Sequence, residues 1–285
     1  MSLVIFSHAN SFVASTYALM FKSLKERGFN VKAIEKFGHN EKYPVTNNWP
    51  HLMQQLIDFA QIEVEKAGVP AFLVGHSFGG FVSLMVAARA PQLVRGVLLL
   101  DSPILGGWRA TTLGVIKSTQ LVGSFSPGAV SRRRRTHWPS QEAALAHFQN
   151  KKTFAKWAPE VLRDYIAHGT HDEGQGSEKK RVLSFDRMVE TAIYNSLPHN
   201  LDNLIKRHPL KCPVAFLGGT HSVEMKQVGM AMTERITQGR IMMIEGSHLF
   251  PMEKPIATAA AIEAALRSMQ ATAFSSREPT LSSRT

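Results

Sequence analysis

Two side chains in this sequence are placed to make an alcohol react: Ser77, in Gly75-His76-Ser77-Phe78-Gly79-Gly80, and His248, in Glu245-Gly246-Ser247-His248-Leu249-Phe250. A serine hydroxyl is a poor nucleophile until a base takes its proton. The first segment follows the apolar run Ala71-Phe72-Leu73-Val74, and a small-x-Ser-x-small pattern at a strand end is the signature of a nucleophile elbow. The reason is steric. Serine in a sharp strand-to-helix turn adopts a strained backbone, so its flanks must be glycine or another small residue. The turn lifts the hydroxyl above the sheet and points the amide of Phe78 toward a developing oxyanion. His248 follows the last strand-like run and precedes the last amphipathic stretch. That placement puts it on the same sheet edge as Ser77 and makes it the candidate base.

The elements that would hold these residues alternate along the chain. Apolar runs at 3–7, 30–35, 71–75, 96–101, 214–218 and 240–245 read as strands. Amphipathic stretches at 16–27, 49–67, 81–89, 224–236 and 256–269 read as helices. Near-continuous apolar strands separated by helices predict an α/β fold, a mostly parallel sheet of about six strands with helices on both faces. Gly28, Gly68 and Pro91 fall where helices should stop. The rhythm breaks between 102 and 210, where helix-like patterns at 140–152, 159–168 and 187–195 occur without a convincing strand. We therefore expect a core at 1–102 and 211–272, with a helical cap insertion at 103–210 over the carboxyl edge of the sheet. Open α/β sheets bind ligands at that edge. Residues 169–180, polar and glycine-containing, are expected to form a mobile loop, and 273–285, rich in Ser and Thr, a disordered tail.

Three motifs together carry a resemblance: Ser7-His8-Ala9-Asn10-Ser11 after the first strand, the elbow at Ser77, and Gly246-Ser247-His248. The chain resembles the α/β-hydrolase superfamily, as a serine hydrolase of esterase or lipase type with a helical cap, over roughly residues 1–270. Against that pattern, the fold is expected to lack the two usual N-terminal strands, and His8-Ala9 stands where His-Gly is common. The resemblance implies that the Asn10 amide is the second oxyanion donor beside Phe78, and that His8 pins this loop. The alternative for Asn10 is a turn bond through its side chain. The resemblance also implies a carboxylate that orients His248. The position most often used, just past 214–218, holds His221. A second arrangement takes the acid from the end of the preceding strand, where Asp101 follows Leu98-Leu99-Leu100. A carboxylate there costs free energy unless paired. Asp101 is the leading candidate acid and Glu224 the alternative; capping of backbone amides is the competing role for Asp101.

The resemblance thus implies a serine hydrolase cleaving a carboxylic ester of an apolar acyl or alkyl substrate through an acyl-enzyme, with no cofactor and no metal. Carbon–carbon bond hydrolysis, peroxyacid formation and amide cleavage use the same groups, and a non-catalytic binding protein of this fold is the rival from another class. Trp108, Leu121, Phe125, Trp138, Phe148, Phe154, Trp157 and Tyr165 enrich the insert in large apolar groups. They are expected mostly to pack on one another, while favouring an apolar ligand. His168-Gly169-Thr170-His171-Asp172 lacks the ligand pattern of hydrolytic metal motifs, and Gly106-Gly107 lacks dinucleotide spacing.

The bulk numbers agree with an ordinary soluble globular chain: 285 residues, 44% apolar and 19% charged. A single cysteine, Cys212, excludes an internal disulfide. No run approaches the roughly 20 apolar residues of a membrane helix, and the start has no secretory pattern. A cytoplasmic location without membrane insertion is expected, and a homodimer is left open. The net charge of +11 is locally concentrated in Arg132-Arg133-Arg134-Arg135. No nucleic-acid motif accompanies it, so no nucleic-acid partner is expected. The run reads as a solvated basic face. Contact of Arg109 or Arg132–Arg135 with a substrate carboxylate or phosphate stays open.

Overall fold

The structure, a computed structural model, describes residues 1–104 and 127–275. In chain order it contains β1 (Ser2–Ser7), α1 (Ala18–Glu26), β2 (Phe29–Ala33), α2 (Pro50–Ala67), β3 (Ala71–His76), α3 (Phe78–Arg89) and β4 (Val94–Leu100). The insert follows, with α4 (Pro127–Arg132), β5 (His137–Trp138), α5 (Gln141–Gln149), α6 (Pro159–Gly169), β6 (Thr170–Glu173), β7 (Lys180–Leu183), α7 (Arg187–Asn195) and α8 (Leu201–Arg207). The chain then returns through β8 (Val214–Gly219), α9 (Val223–Val228), α10 (Ala231–Thr237), β9 (Ile241–Ile244), α11 (Phe250–Glu253) and α12 (Pro255–Ser275).

Six strands form one sheet in the order β2-β1-β3-β4-β8-β9, every adjacent pair parallel. The two-residue period of each strand splits the core in two. Leu3, Ile5, Leu73 and Leu99 pack on the side covered by Leu52 and Leu56 of α2 and Val82 and Val86 of α3. Val4, Phe6, Val74 and Leu98 pack on the side covered by Met20 and Leu24 of α1 and Ile262 and Leu266 of α12. Each such fully buried side chain stabilises by about 1.5–3 kcal/mol. The chain runs outward from β1 to β2 and then crosses to β3, so the carboxyl ends of β1 and β3 flank a topological switch point. Ser7-His8-Ala9-Asn10 and Ser77 follow those two ends.

The insert departs from the expectation of helices alone. β5, β7 and β6 form a small antiparallel sheet, and residues 169–180 supply β6 and the turn into β7 rather than a mobile loop. These strands escape hydrophobic patterning because charge pairs hold them: Asp172 lies opposite Arg181, and Glu173 opposite Lys180. Arg181, nearly buried, also donates to the Ile166 and Ala167 carbonyls at the end of α6. The expected helix at 224–236 is broken at Gly229, whose φ of 79° suits glycine, and the helix expected from 81 begins at Phe78. α12 continues to Ser275, through the first residues of the expected tail. Residues 276–285, and with them the rest of that tail, lie outside the described residues, as do Gly106-Gly107, Trp108, Arg109, Leu121 and Phe125.

Candidate active site

Ser77 occupies the β3–α3 turn with φ 53° and ψ −117°, a conformation strained for any residue with a side chain. Three glycines make the turn possible. A Cβ on Gly75 would stand 2.3 Å from the Gly79 carbonyl, one on Gly79 would stand 2.1 Å from the Ser7 oxygen, and one on Gly80 would stand 2.1 Å from Ser102 Oγ. Ser77 N–H donates to Leu100 O (2.9 Å), and Ser102 Oγ–H donates to Ser77 O (2.8 Å), tying the elbow to β4.

His248 Nε2 lies 3.0 Å from Ser77 Oγ, and its Nδ1 lies 2.6 Å from Asp101 Oδ2. A carboxylate accepts only, so Nδ1 carries the proton and Nε2 is left to accept from the Ser77 hydroxyl. Asp101 is fully buried, with φ 44°. Burial raises its pKa, but the His248 hydrogen bond and charge, Ser222 Oγ–H (2.6 Å) and Gly219 N–H (2.8 Å) overcome that and hold it below the ordinary value. Glu224 approaches the same nitrogen only to 3.8 Å and is half-exposed. Among the described residues, Asp101, Glu224 and His248 are also the group whose donor atoms lie close enough to share a cation; Asp101 already accepts three hydrogen bonds.

Phe78 N–H opens α3, where the first amides lack intrahelical acceptors. Neither it nor Asn10 N–H donates to an acceptor among the described residues. The Asn10 side chain makes the turn bond, Oδ1 accepting from Ser11 N–H (3.1 Å), while Nδ2 donates to Glu190 O (3.0 Å). His8 is buried and neutral: Nδ1–H donates to Ala9 O, Nε2 accepts from Phe37 N–H (3.1 Å), and burial lowers its pKa to about 4.

Two networks escaped the sequence reading. In the first, Ala9 N–H donates to Tyr17 Oη (3.1 Å), Tyr17 O–H donates to His76 Nδ1 (2.8 Å), and His76 Nε2–H donates to His248 O (2.8 Å). It joins the Asn10 loop to the backbone of His248. Burial and the neighbouring His248 hold the His76 pKa down at about 3, so its donor pattern is fixed. In the second, Glu190 of α7 accepts from Ser11 Oγ–H and from Arg134 Nη1 (3.0 Å), with side chains only 6% and 14% exposed for Glu190 and Arg134. Arg134 therefore leaves the solvated face expected of the arginine run; Arg132, Arg133 and Arg135 are exposed. His76 was visible in the elbow motif, whereas Glu190 and Arg134 lie 56 positions apart and carry no local signal.

Ser77, His248, Asn10 and Glu224 line a cavity of about 1110 Å³ shared with the insert. Phe12, Phe148, Phe154 and Leu249 form its apolar wall. The aromatic groups of the insert mostly pack on one another and on Phe12, with ring separations of 4.6 Å for Phe154–Trp157 and 5.5 Å for Phe12–Trp157. His171 pairs with Ser184, and Asp172 with Lys179 and Arg181.

A serine hydrolase-like protein of Dictyostelium discoideum is 24% identical over 257 residues, covering 84% of this chain and 68% of that protein. A monoglyceride lipase homolog of Monkeypox virus is 25% identical over 57% of this chain and 62% of its own length. Among solved structures, E-2-(acetamidomethylene)succinate hydrolase superposes with a TM-score of 0.69 at 20% identity, covering 93% of this chain and 91% of that one. A peroxisomal alpha-beta-hydrolase of Saccharomyces cerevisiae gives 0.70 at 14% identity, covering 99% and 79%. These likenesses establish the fold. The model of the family described as serine aminopeptidase, S33, matches residues 2–190, and the chain belongs to that family of α/β-hydrolases.

Proposed function

We propose that the protein hydrolyses carboxylic esters with an apolar acyl or alkyl part, through an acyl-enzyme on Ser77. The observation that carries this reading is the hydrogen-bonded run Ser77–His248–Asp101 at the floor of a cavity with aromatic walls. Ser77 Oγ attacks the ester carbonyl as His248 Nε2 takes its proton, and Asp101 stabilises the imidazolium. The amides of Asn10 and Phe78 receive the oxyanion; one such donor is typically worth about 2.7–4 kcal/mol. Collapse breaks the bond to the alkoxy oxygen, which leaves as the alcohol with the proton from His248. Water then attacks the acyl-Ser77 ester, giving its proton to the same nitrogen, and the acid departs with Ser77 restored. Relatives named as monoglyceride lipases and a thioesterase domain among the structural neighbours support acyl transfer from oxygen or sulfur. The exposed Val130 and Val223 in the lining suit an apolar chain.

A fluorophosphonate probe and a p-nitrophenyl ester series test this. Labelling of Ser77 that disappears in His248→Ala, with a chain-length optimum in the esters, is expected. A folded protein that neither reacts at Ser77 nor cleaves any ester would be a binding protein instead.

A further inference from the structure

The cavity over Ser77 is unevenly charged. Near the nucleophile stand Glu224 and, beneath His248, Asp101. The wall from the insert carries Arg133, Arg134, Arg135 and Lys151. Arg134 is neutralised by Glu190. Among the described residues no carboxylate pairs with Arg133, Arg135 or Lys151, and residues 105–126 contain no Asp or Glu. Two of these cations are seated on aromatic faces: the Arg135 guanidinium lies 5.7 Å from the Trp138 ring centre and the Lys151 ammonium 5.2 Å from that of Phe148. Arg135 Nε also donates to His137 O (2.9 Å). Burial and the charge of Arg134 lower the Lys151 pKa, and burial, Lys151, Arg135 and Arg134 lower that of His147. Lys151, Arg134 and Arg135 thus all act on His147, and an anion among these like charges would offset their repulsion.

We propose that this wall is an anion subsite, and that the ester cleaved at Ser77 carries a carboxylate or phosphate at the far end of its apolar part. This rests on the ester-hydrolase reading above. The apolar part lies along Phe12, Phe148 and Phe154, and the anion meets Arg133, Arg135 and Lys151. Asp101 and Glu224 repel it from the nucleophile, so the field of the cavity orients the substrate as well as holding it. A substrate with a cation at the far end of its apolar part is opposed by the same field.

The test compares three p-nitrophenyl esters of matched length: the suberate hemiester, its methyl-capped diester, and an ω-phosphoalkanoate. At low salt the anionic esters should exceed the neutral one in kcat/KM by up to about fivefold, as a partly screened ion pair allows. The advantage should shrink with ionic strength. In Arg133→Met/Lys151→Met the ratio of anionic to neutral kcat/KM should approach unity, while Lys151→Arg keeps it. Because each ratio is taken within one preparation, loss of folded protein does not alter it. The better of the two anionic termini identifies the carboxylate or phosphate source. Wild-type protein that cleaves the neutral ester as well as or better than both anionic ones overturns the subsite alone. Failure to cleave any of the three, with Ser77 unlabelled by fluorophosphonate, overturns the hydrolase reading and the subsite with it.

Discussion

At Ser77, Asp101 and Ser11 the backbone takes positive φ without glycine, at 53°, 44° and 80°. Such positions persist only where surrounding bonds over-determine them, and here those bonds are the ones that bring hydroxyl, imidazole and carboxylate together. If Asp101 sets the tautomer of His248, Asp101→Asn should lower kcat for esters by about 10⁴-fold with the fold intact. Glu224→Gln should stay within a few-fold of wild type. Ester kinetics on the two purified variants check this; the opposite ranking would transfer the acid role to Glu224. Tyr17 makes a finer case. Tyr17→Phe keeps the ring against Phe6 and Phe21 but strips a partner from Ala9 N–H and His76 Nδ1. A loss of about 1–3 kcal/mol in urea unfolding is expected. A fall in kcat larger than any rise in KM should accompany it, since the Asn10 loop and His248 lose their shared tether.

Among the elements, α3 and β1 approach so closely at the elbow that only hydrogen fits between Gly79 and the Ser7 carbonyl. Gly79→Ala must displace the start of α3 or the Asn10 loop, and should destabilise by about 3 kcal/mol or more; thermal unfolding beside a Lys22→Ala control on the exposed face of α1 measures it. The insert is tied to the same loop by α7, whose Glu190 holds Ser11 through its carboxylate and Asn10 through its carbonyl. Removing that carboxylate leaves the largely buried Arg134 charge without a counter-charge, with the Tyr165 hydroxyl as its remaining partner. Glu190→Ala should therefore cost about 3–5 kcal/mol in equilibrium unfolding, and Arg134→Met in the same background should recover part of it. No recovery in the double variant would mean the pair does not carry the effect.

For the whole molecule, His8 and His76 are buried and neutral, with pKa values near 4 and 3. An unfolded histidine takes up a proton below about pH 6.5. Between about pH 6.5 and 4 the unfolded chain thus binds more protons than the native one, and stability falls as pH falls. Two such groups give a slope of up to about 2.7 kcal/mol per pH unit. Depressed carboxylates such as Asp101 add their loss only at lower pH, as they protonate. Urea midpoints from pH 7 to pH 5 should show this decline, and His8→Gln should flatten it. A midpoint independent of pH would mean that these histidines are solvated or protonated in the native state.

The sheet, the elbow and the place of His248 were legible because their causes are local. Apolar periodicity marks a strand over a few residues, and only small groups tolerate the turn around Ser77. The motif also showed which two carboxylates to weigh. Other features needed the chain folded. Whether Asp101 or Glu224 meets His248 depends on how the ends of β4 and β8 lie side by side, a matter of ångströms that spacing does not carry. β6 and β7 hide behind charge pairs that look like solvated loop until the strands are opposed. Arg134 was legible only as one of four surface cations; burial against Glu190, distant in sequence, sets it apart. Local sterics and hydrophobic period are written into neighbouring residues, whereas a hydrogen bond between remote side chains exists only after packing has chosen their separation.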